Sequence, residues 1–268
     1  MQELLVDAAG AAILLAITAL SYRLRATDLW GSIAGYLIGL IIALSAGWPW
    51  VVVLIAFLVA GSFATRYRYP YKAAIHAAEE KGGARGYRNV LANSAVAALL
   101  ALGFGGARGA QLALMFAAAI ASSTADTFAT EIGLLSSSPP LLINRPKSRV
   151  NPGISGGVTL LGEGAAALAV AFISILSASL HVISPSVTDV LVVALAGFLG
   201  CNIDSLLGGL AQTLYRCDVC GSYTETKEHC GKATKWVKGI KLLGNNGVNL
   251  LSTIGAAGIA WLLFIFIG

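Results

Sequence analysis

The chain has 268 residues, of which 57% are hydrophobic and 12% are charged, and its mean hydropathy is +0.78. A soluble domain carries roughly 25% charged residues, so this composition excludes an ordinary soluble protein and predicts an integral membrane protein. The net charge of +5 does not indicate nucleic-acid binding, because membrane topology explains the excess of Lys and Arg.

Apolar segments recur along the whole chain. A spanning helix needs about 20 mostly apolar residues, so we predict about eight transmembrane helices, within a range of roughly seven to nine. The predicted fold class is all-α and polytopic, with short loops and one transmembrane domain over residues 1–268. The predicted spans are residues 4–22, 29–46, 48–65, 89–104, 109–125, 158–180, 187–215 and 248–267.

Seventeen of the 18 Lys and Arg residues fall in four segments that alternate with these spans, and only Arg108 lies elsewhere. Lys and Arg are retained on the cytoplasmic side during insertion, so all four segments are predicted to be cytoplasmic and both termini outside. An acidic start, with Glu3 and Asp7, favours a retained first helix over a cleaved signal peptide. We expect an integral membrane protein, which in a prokaryote would lie in the cell membrane, with an active site at the cytoplasmic face. The basic segments are residues 23–25, 66–88, 145–149 and 216–241.

Four acidic residues lie within or at the ends of the predicted spans: Asp126, Glu131, Glu163 and Asp204. An ionised carboxylate in hydrocarbon is costly, so these side chains should face the bundle interior, water or a cation. An interhelical hydrogen bond to a neighbouring Ser or Asn is the alternative role. Five residues separate Asp126 from Glu131, which places them roughly 140° apart on a helix, so they need not touch the same ligand.

A faint internal repeat connects two of these acids. The strings STADTFAT and NIDSLLGG place Asp126 and Asp204 beside a Thr and a Ser after an apolar helix. A parallel duplication of helix pairs would bring the two helix ends together. Asp204 also belongs to a stripe at four-residue spacing, where glycines would let a bulky ligand approach the backbone. The stripe consists of Gly200, Asp204, Gly208 and Gln212.

The segment 144–164 combines three cations with turn-forming residues before a helix predicted to begin at about Val158. A glycine-rich turn that opens a helix presents backbone N–H groups to an anion. We predict phosphate binding here, although a flexible basic loop is the alternative. The candidate residues are Arg145, Lys147, Arg149, Asn151, Gly153, Ser155, Gly156 and Gly157.

A cluster of metal-ligating residues lies in the string CDVCGSYTETKEHC, which holds Cys217, Cys220, His229 and Cys230. Thiol and imidazole groups suit tetrahedral zinc, and a cytoplasmic location disfavours a disulfide. We predict a structural Zn²⁺ in a small Cys/His-containing loop at residues 216–247. Free thiols and redox chemistry are the alternatives.

Asparagines cluster where two predicted spans begin. Asn89 and Asn93 start the fourth span, and Asn245, Asn246 and Asn249 start the last. Asparagines at such positions serve as helix caps or as interhelical hydrogen-bonding groups. They could also line the same polar chamber as the two aspartates.

Five motifs, in this order, resemble the transmembrane-protein-19-like family, also called domain of unknown function 92: STADTFATEIG, NPGISGGVTLLG, CNIDSLLGG, CDVC…HC and NNGVNLLS. The likeness extends over nearly the whole chain. The family includes the chloroplast phytyl-phosphate kinase of tocopherol synthesis and is distantly similar to dolichol kinases and phosphatidate cytidylyltransferases, which use CTP. The resemblance implies an isoprenyl-phosphate kinase, in which a nucleoside triphosphate such as CTP phosphorylates an isoprenyl monophosphate such as phytyl or geranylgeranyl phosphate.

The residue pattern agrees with that chemistry, because phosphoryl transfer depends mainly on charge neutralisation and positioning. Asp126, Glu131 and Asp204 are the predicted catalytic residues. Asp126 and Asp204 are the predicted Mg²⁺ ligands, and Glu131 is a further candidate ligand. The other predicted substrate-binding residues are Ser123, Thr127, Ser205, Gln212, Asn93, Asn246 and Asn249.

The predicted partners are an isoprenoid lipid phosphate, a nucleoside triphosphate and membrane lipids, with no nucleic acid. A transporter or carrier of an anionic lipid or small anion is the main alternative, because intramembrane acids and glycine-broken helices also occur in transporters. The polar residues cluster at one face rather than at the midplane, which favours the enzyme. A scaffold without enzymatic activity would leave Asp126 and Asp204 unexplained.

Overall fold

The apolar segments form long helices, because in lipid each backbone polar group must be hydrogen-bonded within the protein. The computed structural model describes residues 2–104, 109–221 and 223–267. Within them the helices are α1 Gln2–Arg23, α2 Leu29–Ala46, α3 Trp48–Arg66, the short α4 Tyr69–Ala74, α5 Tyr87–Leu102, α6 Gly109–Gly133, α7 Leu160–Ser179, α8 Val187–Leu210 and α9 Asn245–Ile267.

The prediction of a polytopic, mostly helical membrane protein is confirmed. In the described part of the chain, seven helices are long and apolar enough to cross a membrane. The remaining long helix is α5, which at 16 residues is shorter than the roughly 20 that a perpendicular span needs. Arg108, the cation apart from the four basic segments, lies outside the described residues.

Three helix boundaries differ from the predicted ones in ways that affect the polar residues. Helix α6 continues to Gly133 rather than ending at residue 125, so Asp126 and Glu131 are helical. Helix α8 ends at Leu210, because the chain enters a strand at Leu214. Helix α9 starts at Asn245, three residues earlier than predicted.

Short strands, which the sequence analysis did not predict, organise two of the connections. The first sheet has the order β2-β1-β3 and consists of β1 Leu141–Leu142, β2 Arg145–Arg149 and β3 Gly157–Val158, all pairs antiparallel. We call residues 141–158 the basic hairpin. The second connection, residues 214–238, we call the ribbon; it contains β4 Leu214–Arg216, β5 Tyr223–Thr224, β6 Glu228–His229, β7 Lys232–Ala233 and β8 Lys235–Lys238.

The four basic segments meet at one end of the bundle, which we call the polar end. Arg66 donates to the carbonyl oxygen of Leu24, which joins the first two segments. Ser155 in the basic hairpin donates to Glu225 in the ribbon at 2.9 Å, which joins the last two. The alternation of charge along the sequence predicts this common location.

Helix α6 is the central helix of the bundle. Of its span, 67% is buried against other helices, compared with 17% of the α1 span. Small residues let α8 approach α6 closely. A Cβ atom added at Gly200 would lie 2.5 Å from the Ser122 hydroxyl, and one at Gly197 would lie 2.7 Å from Ala121. This close packing sets the separation of the polar residues on the two helices.

Candidate functional site

Asp126 on α6 and Asp204 on α8 meet inside the bundle, seven and six residues before the ends of their helices. Their carboxyl groups are in hydrogen-bonding contact. Two carboxylates this close repel each other unless a proton or a cation lies between them. Asp204 is buried, whereas Asp126 is half-buried, so the pair remains accessible from one side. The internal repeat in the sequence predicts this meeting.

Asparagines from two further helices complete the polar cluster. The side-chain amide of Asn249 is oriented so that both its nitrogen and its oxygen are hydrogen-bonded. The nitrogen donates to a carboxylate oxygen of Asp204 at 3.2 Å, and the oxygen accepts from Nδ2 of Asn93 at 3.2 Å. The hydroxyl of Ser252 also hydrogen-bonds to Asp204. Asn246 is half-buried one turn before Asn249 on the same face of α9. Helices α5, α6, α8 and α9 therefore converge on one oxygen-rich cluster.

The hydroxyl residues predicted around Asp126 lie at the contact between α6 and α5. Ser123 donates to the carbonyl oxygen of Asn93 at 3.0 Å. Thr127 donates to the carbonyl oxygen of Ser123 at 3.0 Å and accepts from Nη2 of Arg85 at 3.4 Å. Both hydroxyl groups thus border the same cluster as the two aspartates.

Arg85 is a residue of this site that the sequence analysis treated only as part of a basic segment. Its backbone pairs with the segment between α1 and α2. The amide of Arg85 donates to the carbonyl oxygen of Ala26, and its carbonyl oxygen accepts from the amide of Asp28, both at 3.0 Å. Its guanidinium lies over the Phe57 ring at 5.1 Å. A Cβ atom at Gly61 would lie 2.7 Å from Nη2, so that glycine provides the space for the guanidinium.

The electrostatic setting of Arg85 connects it to the acids. Burial removes the guanidinium of Arg85 from water and lowers its pKa. The negative charges of Glu79, Glu131 and Asp126 raise that pKa and partly offset the effect of burial. The residue as a whole is half-buried rather than fully enclosed. A guanidinium in such a place suits bidentate contact with a phosphate. The signal in the sequence was an arginine flanked by glycines in the string GGARG.

Glu131 occupies a different environment from Asp126. Its Oε2 lies 2.7 Å from Nζ of Lys72, and the two side chains are 4% and 0% exposed. Lys72 also donates to the carbonyl oxygen of Ala64 at 2.8 Å. The predicted additional metal ligand is therefore held in a buried ion pair that joins α4 to α6. The sequence analysis did not single out Lys72.

The basic hairpin presents its three cations to solvent. Arg145, Lys147 and Arg149 lie along β2, whose pairing with β1 is interrupted by a register shift, and all three are exposed. Asn151 and Gly153 follow in the exposed turn, and Gly157 lies in β3. The helix after this segment begins at Leu160, where Thr159 accepts from the amide of Gly162 at 3.0 Å.

The glycine stripe of α8 contacts protein rather than open space. A Cβ atom added at Gly208 of the stripe would lie 3.1 Å from the amide nitrogen of Gly156. Gly156 itself adopts a left-handed conformation with φ +84°, and a Cβ atom there would lie 2.4 Å from Cα of Gly209, the residue after Gly208, and 2.9 Å from the Ser205 carbonyl oxygen. The basic hairpin therefore packs directly on the end of α8. The ligand approach that the stripe predicted is, at this end, an approach of the chain's own backbone.

Glu225 of the ribbon contacts both the basic hairpin and the segment after α8. It was not identified from the sequence. Its Oε1 accepts from the Ser155 hydroxyl at 2.9 Å and from the Gln212 side-chain amide. The ribbon is thus connected both to the basic hairpin and to the residues just after α8. The predicted ligands Ser155 and Gln212 lie together at this junction.

The structure brings the four predicted zinc ligands together. One ligand atom from each of Cys217, Cys220, His229 and Cys230 lies within 4.8 Å of all the others. Hydrogen bonds from the backbone of Cys220 lower the pKa of the Cys217 thiol, whereas the side chain of Cys220 raises that of Cys230 to about 11. Neighbouring thiols disfavour each other's ionisation, because two thiolates in contact repel. A bound cation would stabilise the thiolate form of both. Cys201 is apart from them, buried in α8.

A narrow apolar crevice runs between α1, α2, α3 and α5 and holds about 60 Å³ of free space. Leu14, Ile17, Leu54 and Phe57 are among its lining residues. Arg85 and Asn89 line it at the polar end. The crevice thus connects the apolar part of the bundle to the cation beside Asp126.

Comparisons with known proteins agree with the motifs. The family model for the integral membrane protein DUF92 matches residues 12–257. Protein PGR of Arabidopsis thaliana is 29% identical, covering 87% of this chain and 88% of the relative. An uncharacterized membrane protein of Synechocystis sp. is 30% identical over 74% of this chain and 77% of its own length. One of Methanocaldococcus jannaschii is 29% identical over 69% and 75%. No solved structure shows significant similarity. The chain belongs to the DUF92 family of integral membrane proteins.

Proposed function

We propose that this protein is a membrane-embedded phosphotransferase that transfers a phosphoryl group from a nucleoside triphosphate, such as CTP, to an isoprenyl monophosphate. The observation that carries the proposal is the contact between Asp126 and Asp204 beside Arg85, where membrane helices end. Paired carboxylates attract a cation and an adjacent guanidinium attracts a phosphate, so the two together match a metal–phosphate substrate.

The residues present fit Mg²⁺. The donor set consists of the carboxylate oxygens of Asp126 and Asp204, and oxygen ligands are those that Mg²⁺ prefers. Asn249, whose amide N–H donates to Asp204, would orient that carboxylate. Asp126 and Asp204 would hold the ion, which when bound neutralises charge on the transferring phosphates. Lys72 already neutralises Glu131, so we assign Glu131 a supporting position rather than direct contact with the ion.

The acceptor would lie with its isoprenoid tail among the helices and its phosphate at the polar end. The apolar crevice leads to Arg85, whose guanidinium would bind the acceptor phosphate. About 60 Å³ accommodates only a few carbons, so α1 and α2 must separate for a whole tail to enter. Of the described spans, α1 is the least buried, at 17%. Helices α2 and α9 follow, at 28% each.

The nucleotide would approach from the aqueous side of the polar end. Arg145, Lys147 and Arg149 are three exposed cations on one short strand, which suits the triphosphate. Because nucleoside triphosphates are cytoplasmic, we place the polar end in the cytoplasm and both termini outside, which agrees with the retention of Lys and Arg there.

The reaction balances without further reactants. An oxygen of the acceptor phosphate attacks the γ-phosphorus of the nucleotide, and a new P–O bond forms. The bond from the γ-phosphorus to the bridging oxygen breaks, and its electron pair leaves with the nucleoside diphosphate. The acceptor phosphate is already an oxyanion, so no general base is needed, and Arg85 serves to position it.

The test is an assay of the purified full chain with Mg²⁺, each nucleoside triphosphate and a panel of isoprenyl monophosphates, read by mass spectrometry. We expect the isoprenyl diphosphate as product. Asp126→Asn and Asp204→Asn should each lower turnover by about 100-fold or more, since each removes a charge that acts in the transition state. Asp189→Asn changes the same helix as Asp204 at its opposite end and should leave turnover unchanged.

Two results would contradict the proposal. The first is wild-type turnover in both aspartate variants. The second is the absence of diphosphate product with every donor, combined with protein-dependent movement of the isoprenyl phosphate across a vesicle membrane, which would indicate a carrier. Thermal unfolding of each variant in detergent distinguishes lost chemistry from lost folding.

A further inference from the structure

We propose that the ribbon binds one Zn²⁺ through Cys217, Cys220, His229 and Cys230, and that this ion holds Glu225 in place over the end of α8. The inference does not depend on the proposed function, because metal content and ribbon structure are measured without turnover.

The distances within the cluster match tetrahedral zinc. The Sγ atoms of Cys220 and Cys230 lie 3.4 and 3.3 Å from Nδ1 of His229. Tetrahedral zinc with Zn–S of about 2.3 Å and Zn–N of about 2.0 Å places neighbouring S and N ligand atoms roughly 3.5 Å apart. All four ligand atoms are within 4.8 Å of one another, so a small movement of the side chains would bring all of them within bonding distance of a single ion.

Two tight turns of the ribbon present the ligands in pairs. After β4, the amide of Gly221 donates to the carbonyl oxygen of Cys217 at 2.9 Å, which closes the turn holding the first pair. The second pair lies on the β6–β7 hairpin, where Cys230 and Gly231 both have positive φ, +51° and +70°. A left-handed cysteine is uncommon, and it turns the Cys230 thiol toward His229.

The type of ligand favours zinc over other occupants. Three thiols and an imidazole form a soft set that suits Zn²⁺ and excludes Mg²⁺, which prefers oxygen. The same ligands can hold iron or copper, so the metal must be identified directly. A disulfide would use two of the sulfurs and leave His229 without a role in the cluster.

A metal crosslink would add to the short strands and hydrogen bonds that hold the ribbon together. Its strands are two to four residues long, and Asp218–Lys235, an ion pair within it, is exposed at 55% and 77%. An exposed pair contributes little stability. By closing the ribbon, the ion would fix β5 and with it Glu225, which accepts from Ser155 and Gln212. Zinc in the ribbon therefore positions the basic hairpin.

The experiment is elemental analysis of zinc, iron and copper in the full chain purified in detergent. We expect about one zinc per chain, with at least a threefold loss in Cys217→Ser and in Cys230→Ser. Cys201→Ser is the matched control, since Cys201 is a buried cysteine outside the cluster, and it should retain the zinc.

Removal of zinc by a chelator is the second experiment. It should make three additional thiols reactive toward an alkylating reagent. It should also speed hydrogen exchange in residues 141–158 and 214–238, but not in 160–179.

Several outcomes would overturn the proposal. They are wild-type protein with less than a tenth of a zinc per chain, iron or copper in its place, an intact mass showing a disulfide, or full zinc content in both cluster variants. Unchanged exchange in residues 141–158 after chelation would overturn the link to the basic hairpin. Cys217 is buried and Cys230 is exposed, so Cys230→Ser carries the test if Cys217→Ser does not fold.

Discussion

The two halves of the bundle differ in the charged side chains that they place around Asp126 and Glu131. The half formed by α6–α9 supplies the carboxylates Asp126, Glu131 and Asp204, all of them on regular membrane helices. The half formed by α1–α5 supplies Lys72 and Arg85, which lie in or beside the irregular connection between α3 and α5. The acids are thus placed by helix packing, and the cations by a connection that folds back onto those helices.

Exposure separates the two cations by role. Lys72 is completely buried and is committed to Glu131 and to backbone carbonyl groups, so no ligand can reach it. Arg85 and the nearby Asp126 are both half-buried, so neither is enclosed to the same extent as Lys72. We therefore infer that Lys72 joins the two halves and that Arg85 serves the site between them.

The largest expected effect tests the structural link. Lys72→Met leaves Glu131 as an unpaired buried carboxylate, which typically costs about 3–5 kcal/mol of the free energy of unfolding. Lys72→Met combined with Glu131→Leu removes both charges and should recover most of that loss. The measurement is denaturant unfolding in detergent.

Lys235→Met is the matched control for this prediction. Lys235 and Asp218 approach to 2.8 Å, nearly the same distance as the 2.7 Å of the buried pair, but both are exposed. Breaking an exposed pair should cost less than about 1 kcal/mol. Equal losses from Lys72→Met and Lys235→Met would show that burial does not distinguish the two links.

The second prediction tests the functional cation. Arg85→Met removes the guanidinium beside Asp126 and should lower isoprenyl-diphosphate formation by about 100-fold, as loss of a transition-state charge contact typically does. Arg85→Lys keeps the charge without the forked geometry and should recover only part of the activity. Arg88→Met, an exposed neighbour, should change turnover less than about twofold by the same reasoning. Wild-type turnover in Arg85→Met would remove Arg85 from the site.

The difference between the halves also explains what the sequence could predict. The acids were identifiable because a carboxylate in an apolar helix is conspicuous, and the helix periods place Asp126 and Asp204 on packed faces. Lys72 and Arg85 could not be identified from the sequence, because they are two of six cations in one basic segment. Only tertiary contacts distinguish them from the exposed cations of that segment. The short strands were missed for a similar reason: segments of two to five residues carry no detectable period.

The smallest expected effect concerns the apolar crevice of the α1–α5 half. Gly35 lines it, and a Cβ atom added there would meet nothing within 4 Å, so a larger side chain can enter without clashing. Gly35→Leu should raise KM for a 20-carbon isoprenyl phosphate by about 10-fold, because changes of a methylene or more in an apolar site are worth roughly 1–3 kcal/mol. Gly258→Leu, at a glycine of α9 with equally open surroundings, is the control and should leave KM unchanged. KM for the nucleotide should stay constant in both variants, because the proposed function places the triphosphate at the polar end. A rise in the nucleotide KM with Gly35→Leu, or equal rises for short and long acceptors, would show that this half does not hold the tail.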